Sequence, residues 1–327
     1  MILAGWLRLA VVAILLAFPA MPAVSQTDEP PDGRTAAAYE ALGDFFAADT
    51  PSRDEVKAID NYEKAGAAGS ATAFIKLARL LVAQPGDTVA LRAAEALRDA
   101  IALGAAGPAG DALGDLYRND PRLRDLVQAL AAYGTALDAG EPGVARKVAD
   151  ILLTGGVEDA ARVRAVAALE RAVGGPEAVA AAFQLAQVYH AGATRSDMVR
   201  ARRNYEIAAA GGLGEAHLAL AELQADRVQD PRIRRDMLDH YLAAATLLDV
   251  ATVAVRMSAL PQPTLLALVR DLVIQRGLGV LPLSGPNARN PDVVAAFCRS
   301  QARYYCSERS VPWEMLIELI GGSTAPR

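Results

Sequence analysis

This 327-residue sequence predicts an all-α fold, a right-handed superhelical solenoid of antiparallel helix pairs closed by a C-terminal helical cap. Three observations carry the prediction. First, ALAAYGTALDAG (129–140) puts Ala129, Tyr133, Ala136 and Gly140 at offsets that fall on one helical face, with a glycine at the stop. The same places are filled by Ala58/Tyr62/Ala65/Gly69, Ala93/Leu97/Ala100/Gly104, Ala165/Leu169/Ala172, Ala201/Tyr205/Ala208/Gly212 and Met237/Tyr241/Ala244, at steps of 35 or 36 residues. Second, a large-small pair recurs at nearly the same period: Leu42-Gly43, Leu77-Ala78, Leu113-Gly114, Val148-Ala149, Leu185-Ala186 and Leu220-Ala221. Third, 53% hydrophobic residues with only 5% aromatics leave alanine, leucine and valine to fill the core, which suits helices packed at close range.

Residues 1–25 read as a Sec-type signal peptide. Arg8 precedes the apolar run Leu9–Phe18, and Ala23-Val24-Ser25 offers small residues for cleavage before Gln26; an uncleaved N-terminal anchor is the alternative. No cysteine stands near that site, so there is no lipobox. Cleavage would remove Arg8 and no acid, taking the formal charge from −5 to −6. That balance gives no electrostatic footing for nucleic acid. The polar, proline-rich stretch 26–34 reads as a disordered leader.

From Thr35 to residue 250 the chain divides into six units, each a first helix carrying the large-small pair and a second helix carrying the Ala-Tyr/Leu-Ala face. Polar links such as Gln84-Pro85-Gly86-Asp87 and Asn119-Asp120-Pro121 separate the two. One unit cannot bury its own apolar stripe, so the units must stack. Gly174-Gly175-Pro176 blurs the fourth stop, and Leu248-Asp249-Val250 ends the sixth without glycine. Residues 251–327 then hold a degenerate seventh pair, split by Pro261 and Pro263, and a cap bearing Cys298, Cys306 and Trp313.

The pattern A-x-x-x-Y-E-x-A-x-x-x-G, present as AIDNYEKAGAAG (58–69) and ARRNYEIAAAGG (201–212), resembles the Sel1-like branch of the tetratricopeptide superfamily. The resemblance spans about residues 36–249 and implies an adaptor that holds other proteins together, with no catalytic residues and no cofactor. More narrowly, KLARLLVAQPGDTVALRAAEALRDAIALG (76–104) is similar to an early repeat of AlgK-type proteins, the periplasm-facing scaffolds of bacterial alginate synthesis and secretion. Those proteins are longer and are lipoproteins, so lipid anchoring does not carry over.

The chain offers few candidate chemical groups. His190 ends a first helix, His217 begins the next and His240 lies in a second helix, so the three are expected to share no face at metal-ligand spacing. No nucleophile elbow, zincin or phosphate-loop motif occurs, and Gly211-Gly212-x-Gly214 follows a helix where a nucleotide fingerprint would follow a strand. Cys298 and Cys306 are read as a disulfide, with two thiols as the alternative. On one straight helix their Cα atoms would stand about 12 Å apart against a limit of roughly 7 Å, so a bond requires a turn between them.

Arginines gather at two helix starts: Arg195, Arg200, Arg202 and Arg203, then Arg232, Arg234 and Arg235. Stacking would set them as neighbouring rows. Such rows form either a contact for an acidic partner or anionic polysaccharide, or a solvated face paired with Asp197, Glu206, Asp230, Asp236 and Asp239. The tyrosines at 62, 133, 205 and 241 are read as packing residues with their hydroxyls at the rim. Together these readings predict a non-catalytic periplasmic scaffold for an envelope complex of exopolysaccharide synthesis or export, in contact with the synthase or export machinery. The alternative is a soluble regulator bound to the periplasmic domain of a sensor kinase.

Overall fold

A computed structural model describes residues 35–192, 194–278 and 311–322. The signal segment, the leader and both cysteines lie outside the described residues. Six helix pairs follow one another: α1 (Ala36–Ala47) with α2 (Glu55–Ala67), α3 (Ala71–Val82) with α4 (Asp87–Ala102), and α5 (Ala106–Asn119) with α6 (Leu126–Asp138). Then come α7 (Val144–Thr154) with α8 (Asp159–Ala172), α9 (Ala178–Gly192) with α10 (Arg195–Ala210), and α11 (Gly214–Glu222) with α12 (Pro231–Leu247). Helices α13 (Val250–Ser258), α14 (Gln262–Gln275) and α15 (Trp313–Gly321) complete the described chain. Among the described residues every regular element is helical, and no helix is long and apolar enough to cross a membrane.

Local chemistry sets the helix ends. Asp54 and Asp125, at matching places in units one and three, accept the Lys57 and Gln128 backbone N–H at 3.0 Å each. Gly69, Gly104, Gly140 and Gly212 close the second helices with φ between 76° and 98°, a region that costs a glycine little.

First helices of successive units touch (α3 with α5, α7 with α9), and so do second helices α6 and α8, which gives two layers. The repeated Ala-Tyr/Leu-Ala faces lie between them: Ala58, Tyr62, Ala65, Ala129, Tyr133, Ala136, Ala201, Tyr205 and Ala208 are all buried. The small residue of the first helix receives the large residue of the second. A Cβ added at Gly43 would overlap the Tyr62 ring, and one added at Gly114 would overlap the Tyr133 ring.

The core divides in two at α11. Ala216 and Leu220 close a cluster that runs from Tyr39 through five units, whereas Leu218 and Ala221 open a second cluster. That second core gathers Met237, Met257, Leu268 and, from α15, Met315, Leu316 and Leu319. Between the two parts the packing style changes, from alanine and tyrosine to leucine and methionine.

Candidate binding surface on the first-helix layer

Charged side chains stitch the first helices together. In unit one Glu40 and Asp44 of α1 both hold Lys76 of α3 at 2.8 Å, and Tyr62 of α2 donates its hydroxyl to Asp44 at 2.8 Å. In unit three Asp111 and Asp115 of α5 hold Lys147 of α7 at 2.6 and 2.7 Å, and Tyr133 of α6 donates to Asp115 at 2.6 Å. Each ammonium also faces its tyrosine ring, at 6.0 Å for Lys76 and 5.7 Å for Lys147. Burial alone would push these lysines down, but the paired carboxylates outweigh it and raise both. Burial likewise pushes Glu40 up, and its bonds to Lys76, Ser70 and Thr72 together hold it below the usual carboxylate range. The Tyr62 and Tyr133 hydroxyls are raised by burial and then by the carboxylate each one faces.

Between these two clusters the surface opens into a groove of about 1080 Å³. Ile75, Ala78 and Val82 of α3 form one apolar wall, and Pro108, Ala112 and Leu116 of α5 the other. Arg79 stands exposed on its edge and makes no ion pair among the described residues, while Asp111, Asp115 and Glu141 supply acid opposite. Hydrogen bonds brace the far end. Arg122 bonds Asp120 at 2.6 Å and reaches back to the Gln84 and Gly86 carbonyls at 2.8 and 3.1 Å, tying two helix-joining links together.

The arginine rows meet different fates. Arg202 pairs with Glu206 at 2.8 Å and approaches Asp236 of α12 at 3.9 Å, so the two rows do adjoin. Arg200 stacks over the Tyr189 ring at 5.4 Å. Arg234 turns inward: its side chain is 13% exposed, bonded to Asp271 at 2.6 Å and to the Val228 carbonyl at 2.9 Å. Arg203, Arg232 and Arg235 stay exposed with no ion pair among the described residues. Arg195 is exposed likewise, so solvent meets four guanidinium groups of the rows, and Arg234 belongs to the fold.

The histidines require a correction. His217 and His240 meet, Nδ1 to Nδ1 at 2.9 Å, because α11 and α12 pack as one pair and both residues face across it. The repeat map placed them on separate helices and so missed the contact. Burial lowers both, and His240 acts further on His217. Among the described residues no three His, Cys, Asp or Glu side chains converge as a metal-binding group.

The outer layer carries a different row. Val56, Leu91, Val163 and Val199 occupy the same position at the start of four second helices and are 50–78% exposed.

The two-layered helical array and its groove define a helical-repeat solenoid. No family model matches the chain, and no curated protein sequence does. Among solved structures it is similar to a protective antigen of uropathogenic Escherichia coli that displays an SLR fold, at 17% identity and TM-score 0.43, covering 88% of this chain and 68% of that one. It is also similar to a Sel1 repeat protein from Oxalobacter formigenes, at 17% identity and TM-score 0.48, covering 89% of this chain and 84% of that one.

Proposed function

We propose that the protein is a non-catalytic interaction scaffold of the cell envelope that holds a segment of a partner protein in the groove between α3 and α5. The groove carries this reading: two apolar walls, an unpaired Arg79 on one edge and acids on the other, set on a frame that Arg122 holds still. Such a frame lets a partner segment bind without the ordering cost of a mobile surface. The signal-peptide reading of residues 1–25 supports a periplasmic location, and the AlgK-like stretch, whose first half lines the groove, supports a place in exopolysaccharide synthesis or export.

A photo-crosslinker at Val82, compared with one at Val163 on the outer layer, tests the proposal in the native host. One dominant partner captured from Val82 and not from Val163 is the expected result; equal yields from both sites would sink it. Deletion then separates the two roles, since loss of a scaffold abolishes polymer and loss of a sensor-kinase inhibitor overproduces it.

A further inference from the structure

The stitching cluster of units one and three has a third copy in register, and its chemistry is different there. Glu40 and Asp111 correspond to Phe183, Asp44 and Asp115 to Gln187, and Tyr62 and Tyr133 to Tyr205, at steps of 71 and then 72 residues. The lysines, Lys76 and Lys147, correspond to Ala219. Where in two earlier units the next unit's ammonium folds over the tyrosine, unit five leaves open a cavity of about 670 Å³.

Three rings line it. Phe183 lies 5.7 Å from the Tyr205 ring at 60°, and His190 meets Tyr205 edge-on at 6.3 Å. The charged groups are Glu215, Glu222 and Arg256. Arg256 is held by both Glu222 oxygens, at 2.8 and 2.5 Å, while Glu215 is exposed and makes no ion pair among the described residues. Aromatic faces beside a net negative charge attract a cation with an apolar stem.

We infer that the unit-five cavity binds a primary alkylammonium group, supplied by a ligand where units one and three use the next unit's lysine. The stem packs on Phe183 and Leu218, and the ammonium faces Tyr205 with Glu215 as its counter-charge, Glu222 being held by Arg256. A free amine and a lysine side chain share this chemistry. The inference does not depend on the scaffold reading, since it concerns a different unit and a different ligand.

The test titrates the full chain with n-pentylammonium at low salt, read by calorimetry and by NMR shifts, with n-pentanol and pentanoate as controls. Saturable binding confined to the amine is expected, weakened about fivefold or more by Glu215→Gln, a change at an exposed residue that makes no ion pair among the described residues. Ala219→Lys restores the internal ammonium, abolishes amine binding and leaves the helical spectrum intact. Cadaverine against a capped lysine peptide separates the two sources: tighter binding of one assigns it. No saturable amine binding, equal binding of pentanol, or binding unchanged in both Ala219→Lys and Glu215→Gln would overturn the assignment.

Discussion

Units one and three, set against unit five, show one packing problem solved with two chemistries. In the earlier units a glycine of the first helix admits the tyrosine of the second, and two acids with the next unit's lysine close the surface over it. In unit five Ala186 replaces the glycine, Phe183 and Gln187 replace the acids, and Ala219 replaces the lysine. Tyr205 remains buried in the same place, with its hydroxyl pushed up to about 12 by burial and by Glu222. The buried half of the motif keeps a small residue against a large one because every unit must stack, whereas the rim changes its chemistry. Variation at the rim is where binding chemistry can enter without loss of the fold.

The largest effect that would break this comparison is steric. Gly114→Val forces two methyls into the Tyr133 ring and is expected to cost about 3 kcal/mol in urea unfolding, since the ring is packed on all sides. Ala186→Gly at the matching position of unit five is expected to cost about 1 kcal/mol, the helix-propensity penalty alone. Equal costs would mean that the glycine is not there to seat the tyrosine. A smaller contrast separates the arginines. Arg234→Ala strands Asp271 and is expected to cost about 2 kcal/mol, whereas Arg235→Ala should stay within about 0.5 kcal/mol. If both are neutral, the inward turn of Arg234 contributes nothing to the join between α12 and α14.

Much of this was legible in the sequence, and the parts that were not have physical reasons. The helix pairs follow from a face that recurs every 35 or 36 residues, and Thr35 marks the first helix start, where its side chain caps α1. The two-unit rhythm was missed, although Glu40/Asp44/Lys76 and Asp111/Asp115/Lys147 stand 71 residues apart and a search at twice the period would have found them. The groove could not be read, because it depends on how far α3 and α5 stand apart. Arg234 and Arg235 are neighbours of the same type about 100° apart round the helix, and only the packing of α12 on α14 decides that one bonds Asp271 and the other stays exposed.

The histidine pair sharpens the contrast at the point where the two cores meet, and its effect is the smallest. At neutral pH one Nδ1–H donates to the other Nδ1, which must be unprotonated to accept. A first proton fits at His240 Nε2, which lies 3.9 Å from Asp236, because His240 then donates through Nδ1 to a neutral His217. A second proton leaves two donors face to face and breaks the bond. Both folded-state values are lowered by burial, so the unfolded chain takes up protons first. Stability from the pair is therefore complete above the ordinary histidine range and is lost as the pH falls through it. Unfolding free energies from urea titrations at about pH 7.5 and about pH 5.5 should differ in the natural chain, and His217→Asn should lower the first by about 1 kcal/mol while shrinking the difference. Asp236→Asn removes the carboxylate that eases the first proton onto His240, so it should enlarge the difference. An acid response untouched by either change would mean that the histidine pair does not carry the pH sensitivity.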